Sequence, residues 1–254
     1  MSNKNIHFII NPSSGKSAPP FDLIGNTIAQ QPAQCVIHIT TADKPIHQYV
    51  NDALTMNADL IVAYGGDGTV MAVANALYGH NTPMAILAGG TANVVAHELN
   101  IPTNPQQALD LIFSESHEII SVDAGKINDQ HFLLRLSLGW EAEMSIRPSS
   151  EDKTRWGNLA YAQSSLESLR DLEPVTYELT LDDGQTESVT GINCSICNIG
   201  NIGYYGLSIG KDVLADDGLL DIIIVQNNSL QAILDVAKNV LTNVLETEEE
   251  LPHY

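Results

Sequence analysis

Leu60-Ile61-Val62-Ala63-Tyr64-Gly65-Gly66-Asp67-Gly68-Thr69-Val70-Met71-Ala72-Val73-Ala74-Asn75-Ala76-Leu77 is the stretch that decides the fold. The apolar run from Leu60 to Tyr64 reads as a buried strand, and it enters a glycine turn that opens a run with helical spacing from Val70 to Leu77. A strand that ends this way presents free backbone N–H groups and the positive end of a helix dipole, which together make an anion site. Gly65, Gly66 and Gly68 lack a Cβ, so they can take φ > 0 and admit a phosphate chain close to the backbone. Asp67 places one carboxylate where phosphates and a divalent cation would meet. The bland alternative is a tight turn capped by Asp67 and Thr69.

A second unit of the same kind follows. Met84 to Ala88 is another short buried-type strand, then come Gly89-Gly90-Thr91-Ala92-Asn93 and a helical run from Val94 to Leu99. Successive strand–glycine–helix units predict a parallel sheet whose loops converge at the carboxyl ends of the strands, where ligands bind in open α/β folds. Upstream, Ile6 to Ile10 is a third strand, left through Asn11-Pro12-Ser13-Ser14-Gly15-Lys16. That exit lacks the Gly-x-x-x-x-Gly-Lys-Ser/Thr spacing of a Walker A loop.

Around residue 121 the pattern changes. Before it, strands near 5–10, 34–40, 59–64 and 84–88 alternate with helical stretches near 20–31, 44–57, 69–79, 93–99 and 104–114. After it, Phe132 to Leu138, Val175 to Leu181, Ser188 to Asn198 and Leu219 to Gln226 are strand-like, with Asp182-Asp183-Gly184 a hairpin turn and helices expected at 158–172 and 229–245. The fold class is therefore α/β in two lobes: a Rossmann-like α/β domain over residues 1–120 and a mostly antiparallel β domain over 121–254.

Composition bounds the function classes. The 254 residues are 44% apolar and 17% charged, which is globular rather than disordered. No run approaches the length of a membrane span, and no basic-then-apolar leader is present, so a cytoplasmic location is expected, with contact to a membrane only at its periphery. With 31 acidic against 11 basic residues the chain repels nucleic acid, which is not expected as a partner. Arg147, Lys153 and Arg155 around Trp156 could touch a bilayer, or form a solvated loop with Trp156 in the core. Cys194 and Cys197 have redox spacing but lie in a strand-like run and read as buried thiols. The eight histidines show no zinc spacing.

Asn-Pro-x-Ser-Gly near the start, Gly-Gly-Asp-Gly-Thr at 65–69 and Gly-Thr-Ala-Asn at 90–93 before Glu98-Leu99-Asn100-Ile101-Pro102 resemble the diacylglycerol kinase catalytic family, which includes bacterial lipid kinases and sphingosine kinases. The similarity runs on through Val122-Asp123-Ala124-Gly125, Gly157-Asn158-Leu159-Ala160-Tyr161 and Asp216-Asp217-Gly218-Leu219, and so covers nearly the whole chain. The resemblance implies transfer of the γ-phosphoryl of ATP to a hydroxyl of diacylglycerol, a sphingoid base or a related lipid met transiently at a membrane surface. It implies that Asn11, Thr40, Gly65, Gly66, Asp67, Gly68, Thr69, Val70, Met71 and Thr91 line the nucleotide site, and that Asp67 organises a catalytic Mg²⁺ through water. It also implies a structural Mg²⁺ on Leu214, Asp217 and Leu219, where the plain alternative is an Asp-Gly turn. A homo-oligomer is compatible with all of this.

One departure matters. The family's general base is a glutamate in an Asp-Gly-Glu motif, and this chain contains no Asp-Gly-Glu up to Tyr254. The base is therefore expected beyond Tyr254, with the β domain incomplete at its C-terminus, and residues 1–254 are expected to bind ATP while transferring negligible phosphate. Two other classes stay open: an NAD-kinase-like enzyme with a soluble acceptor, disfavoured because Ala76 follows Asn75 where those enzymes carry Asn-Glu, and a non-catalytic nucleotide- or lipid-binding protein if Tyr254 is the true terminus. Leu133, Leu138, Trp140 and Met144 are candidates for lining an acceptor cleft and are indistinguishable from packing residues by sequence.

Overall fold

The computed structural model describes residues 4–15, 18–114, 116–139, 173–200 and 213–226. The cationic group around Trp156 and the helices expected at 158–172 and 229–245 lie outside the described residues. The chain forms two compact units, Met1–Leu134 with Asn198–Leu219 and Arg135–Cys197 with Leu220–Tyr254.

The first unit is built on a four-stranded parallel sheet of β1 (Asn5–Ile10), β2 (Gln34–Ile39), β3 (Leu60–Gly65) and β4 (Met84–Ala88), in the order β2-β1-β3-β4. Central strands β1 and β3 are buried on both faces, which is why their sequences are almost wholly apolar, Asn5 and the buried His7 of β1 excepted; edge strand β2 keeps exposed positions such as Ile37 and Ile39. On one face Ile6, Phe8, Ile10, Val62 and Leu87 pack against Ile24 of α1 (Phe21–Ala29) and Leu109 and Ile112 of α5 (Pro105–Phe113). On the other, Ile9, Ile61 and Ala63 pack against Val50 and Ala53 of α2 (Ile46–Thr55) and Val73 and Leu77 of α3 (Asp67–Leu77). The short α4 (Val94–Glu98) follows β4, and Asn104 starts α5 by accepting from the N–H groups of Gln106 and Gln107, with Pro105 at the first helical position. A hairpin of β5 (Gly125–Ile127) and β6 (Gln130–Phe132), turned at Asn128 with φ 52°, completes this unit.

The second unit is antiparallel. β10 (Asn193–Cys197) lies between β7 (Arg135–Gly139) and β11 (Asp221–Val225), and β8 (Val175–Thr180) pairs with β9 (Thr186–Gly191) across the Asp182-Asp183-Gly184 turn, where Gly184 sits at φ 79°. The run Ser188 to Asn198, expected as one strand, is two strands with different partners, divided at Ile192. The division occurs where the Ile192 N–H reaches Val225 O at 2.7 Å and Gly191 leaves room for that same carbonyl. The expected strand Phe132 to Leu138 likewise divides between β6 and β7. Cys194 and Cys197 are buried free thiols of β10.

Candidate functional site

From β1 the sheet runs one way to β2 and the other way to β3, so the loops leaving the carboxyl ends of β1 and β3 stand on either side of a switch point, the usual ligand crevice of an open α/β sheet. The β1–β3 register ends at Ile10 opposite Tyr64, and the next residue, Asn11, donates its N–H to Tyr64 O at 3.0 Å. The Asn11 side chain then crosses to the glycine turn. Its Nδ2 donates to Thr69 Oγ1 at 2.9 Å, while its Oδ1 accepts from the Ser13 N–H at 3.0 Å. Ser14 Oγ accepts from the Gly66 N–H at 3.3 Å and lies 3.4 Å from Thr69 Oγ1. Thr69 is buried, and its hydroxyl is held between Asn11 and Ser14. Ser14 was not singled out from sequence as a site residue, although it is the serine of the Asn-Pro-x-Ser-Gly motif.

Close neighbours leave these glycines no room for a side chain. A Cβ on Gly65 would sit 2.5 Å from the Thr69 side chain, and against main chain one on Gly90 would sit 2.4 Å from Gly66 Cα and one on Gly15 2.2 Å from Gly89 O. The loops after β1, β3 and β4 are thus packed main chain against main chain. None of Gly65, Gly66 and Gly68 takes φ > 0, and Gly66 is extended at φ −87°, ψ −175°. This corrects the left-handed turn expected there: β3 runs straight into α3, and the missing side chains serve loop-to-loop contact. Gly68 differs, because a Cβ there would meet nothing within 4 Å.

Asp67 is the first residue of α3, whose N-cap, Gly66, supplies no side-chain cap; Thr69 and Val70 donate their N–H groups to Gly66 O, and the N–H groups of Asp67 and Gly68 are the ones that can turn to an anion. Half-buried, Asp67 accepts from the Val95 N–H through Oδ1 at 3.2 Å, which ties the first glycine turn to the helix after the second. That second turn closes on itself. Asn93, left-handed at φ 49°, accepts the Gly90 N–H at 2.9 Å and returns its Nδ2 to Gly90 O at 3.1 Å.

The remaining candidates are spread around this edge. Thr40, just past β2, is buried and donates its N–H to Ile10 O at 2.9 Å; Thr91 is exposed on the second turn. Val70 packs with Ile86, Ala88, Val95 and Ala96, so only its main chain can meet a ligand. Met71 Sδ accepts from the Leu133 N–H at 3.4 Å, and Met71 lines a cavity of this unit.

The loop 213–219 holds the other oxygen-rich group. Asp217 Oδ1 accepts from the Leu219 N–H at 3.0 Å, and Gly218, at φ 79°, donates its N–H to Asp123 Oδ2 at 2.6 Å. The Leu214 and Leu219 side chains are exposed, and those residues could contribute only carbonyl oxygens to a cation. Among the described residues no cluster of three or more His, Cys, Asp or Glu could hold a metal, so a site here would draw on carbonyls and on Asp217, with Asp123 as a second nearby carboxylate. Oxygen-only donors suit Mg²⁺.

An uncapped helix at the switch point of a parallel sheet, with a carboxylate in its first turn and glycine loops on both sides, places this chain among open α/β proteins. Residues 5–127 match the diacylglycerol kinase catalytic domain and residues 135–244 the YegS C-terminal NAD kinase beta sandwich-like domain. A Stenotrophomonas maltophilia protein named "Probable lipid kinase YegS-like" is 30% identical over 88% of this chain and 74% of its own length. A Mycobacterium tuberculosis protein named diacylglycerol kinase is 30% identical over 72% of this chain and 60% of its own. An uncharacterised Synechocystis protein is 28% identical over 95% of this chain, and the match spans 58% of that protein. A crystal structure of a Bacillus anthracis diacylglycerol kinase superposes with a TM-score of 0.73 at 28% identity, covering 92% of this chain and 78% of that one. The chain belongs to the diacylglycerol kinase catalytic-domain family.

Proposed function

We propose that this chain is the catalytic part of an ATP-dependent lipid kinase, which transfers the γ-phosphoryl to a hydroxyl of diacylglycerol, a sphingoid base or a related lipid met transiently at a membrane surface from the cytoplasmic side. The observation that carries this reading is the uncapped first turn of α3 at the switch point, with Asp67 in it and Asn11, Ser14 and Gly66 fixing its position. Phosphoryl transfer is mainly positioning and charge neutralisation. The α3 amides would hold phosphate oxygens, and Gly68, open above its Cα, would let the phosphates lie close to the backbone. Mg²⁺, when bound, spreads the charge of the transferred group. Asp67 keeps its second oxygen for water around that ion while Oδ1 stays on Val95. Thr40 and Thr91 stand on flanking strand ends, where they could contact the rest of the nucleotide. Leu214, Asp217 and Leu219 would hold a second, structural Mg²⁺. Among the described residues no helix is long and apolar enough to cross a membrane, consistent with a lipid met at the surface.

The test is transfer of labelled phosphate from ATP to a lipid panel by the full-length protein, wild type against Asp67→Asn. Transfer by the wild type and its loss in a folded Asp67→Asn protein is the expected result. Near-wild-type turnover in the variant would remove Asp67 from the mechanism, and transfer to NAD but to no lipid would replace the lipid reading.

A further inference from the structure

The loop from Thr40 to Lys44 leaves the carboxyl end of β2, the edge strand of the parallel sheet, and so has a neighbouring strand on one side only. Thr40 is buried and tied to β1 through its N–H on Ile10 O, whereas Thr41, Ala42 and Asp43 are exposed. A side chain from the next helix fixes the exposed part. Tyr49 of α2 accepts the Thr41 N–H on its phenolic oxygen at 3.2 Å, and the same oxygen lies 3.0 Å from Thr41 Oγ1. A phenol can accept the first of these while donating its own proton to the second, so both bonds form at once.

The anchor is itself held. The Tyr49 ring is buried in the cluster of Ile9, Val50, Ala53 and Ile61 that also contains Val73 and Leu77 of α3. The His38 and Tyr49 rings meet edge to face with centroids 6.3 Å apart, and the Lys44 ammonium lies 4.3 Å from the Tyr49 centroid while pairing with Asp52 of α2. These contacts fix where the hydroxyl stands.

One packed layer therefore serves two parts of the same sheet edge. α3 brings its first turn to the switch point, and α2, packed in the same cluster, brings Tyr49 to the loop after β2. A misplacement of about 1 Å in a positioned group can cost on the order of 10²-fold. The Tyr49 hydroxyl ties Thr41 to the core against such a shift.

Resting on the reading of this sheet edge as the ATP site, we infer that Tyr49 is a positioning residue for nucleotide binding: through its hydroxyl it sets Thr41, and with it Thr40, where the loop after β2 meets a nucleotide held on α3. Tyr49 touches no ligand itself. It acts on affinity for the donor and leaves the chemical step, centred on Asp67, untouched.

The experiment measures ATP affinity by calorimetry and steady-state kinetics on a lipid panel, using the full-length protein as wild type, Tyr49→Phe, Thr41→Val and the double variant. Tyr49→Phe removes one oxygen and keeps the ring for Lys44 and the core. It should weaken ATP binding and raise the KM for ATP roughly five-fold, with kcat and the KM for lipid unchanged. Thr41→Val, which keeps the N–H bond, should weaken ATP binding about two-fold. The double variant should bind no more weakly than Tyr49→Phe, because both changes remove the same contact. If Tyr49→Phe does not fold, Thr41→Val, a change on an exposed loop, decides. Unchanged ATP affinity in folded Tyr49→Phe, with or without a lower thermal midpoint, would reduce the contact to a structural tie and overturn the proposal, as would additive losses in the double variant. ATP binding that weakens in Tyr49→Phe, in a protein that phosphorylates no lipid, would retain the positioning role and overturn the lipid-kinase reading. Lipid phosphorylation with an unchanged KM for ATP in Tyr49→Phe would do the reverse, and a wild type that binds no ATP would overturn both.

Discussion

The two glycine turns look alike in sequence and behave differently in the fold. After β3, Gly66 enters an eleven-residue helix with no side-chain cap, and the polar contacts around it come from another loop, through Asn11 and Ser14. After β4, Asn93 reaches back to Gly90 through both polar atoms of its amide and precedes a helix of only five residues. The first turn is braced from outside and left open at its helix end; the second is closed on itself and presses its backbone against the first. A Gly-Gly pair after a strand therefore marks close approach of main chains, and the state of the following helix N-terminus decides which turn can hold an anion.

Substitution separates these roles most sharply at the contact between the turns. Gly90→Ala drives a methyl to 2.4 Å from Gly66 Cα and 2.8 Å from Asn93 Oδ1. It should cost on the order of 3 kcal/mol, lowering the thermal midpoint by roughly 6–12 °C. Gly66→Ala meets Gly90 Cα at 3.1 Å, a contact that small shifts can relieve, and should cost about 1 kcal/mol by urea unfolding. Equal losses in the two variants would break the picture of one turn pressed onto the other.

A third turn, at Asp217, sharpens the contrast, because its proposed occupant is a cation. A site held at a hundred times its Kd in Mg²⁺ stabilises the fold by about 2.7 kcal/mol. EDTA should therefore lower the wild-type midpoint by several degrees, and Asp217→Ala should erase that response. Identical EDTA shifts in both proteins would leave only an Asp-Gly turn.

Acid sensitivity of this unit should arise away from the glycine turns, at a pair of histidines on β1 and β2. His7, fully buried on β1, lies 2.8 Å from His38 Nε2 through its Nδ1, the rings are stacked, and His7 Nε2 is buried with no hydrogen-bond partner among the described residues. Burial, then the neighbouring His38, pushes the His7 pKa below 6.5; burial also lowers His38, with Asp52 opposing and Lys44 reinforcing that shift. Folded protein then binds fewer protons than unfolded protein below about pH 6.5, so stability is full above that value and falls as the solution is acidified toward the folded pKa values. Thermal midpoints at pH 7.5, 6.5 and 5.5 should decline in that order, and His7→Gln should flatten the decline. A midpoint rising toward pH 5.5 would contradict the sign.

Most of the α/β unit was legible because each strand–glycine–helix unit carries its own punctuation, as at Tyr64-Gly65-Gly66 and at Asn104-Pro105. The break at Ile192 was not, since Ser188 to Asn198 is continuously strand-like and only the choice of partners, β8 for one half and β7 with β11 for the other, divides it. The β5–β6 hairpin was missed because three-residue strands have no periodicity to read. At the site, Asp67 and the glycines were visible as a motif, but their neighbours were not. That Thr69 faces Asn11, or that Gly66 touches Gly90, depends on loops far apart in sequence meeting at one sheet edge. The His7–His38 pair was invisible for the same reason, as residues on adjacent strands come together only through the β1–β2 register.

The central claim is that the first turn of α3 holds the phosphates of ATP, and Gly68 tests it most directly. Gly68 is exposed, a Cβ there meets nothing within 4 Å, and its φ is not positive, so Gly68→Val should leave the thermal midpoint within about 2 °C of wild type. The account predicts Mg²⁺-dependent ATP binding by wild type in titration calorimetry and at least a ten-fold loss in Gly68→Val, because the new side chain occupies the space through which phosphate reaches the backbone. Full-affinity ATP binding by a folded Gly68→Val protein would contradict it.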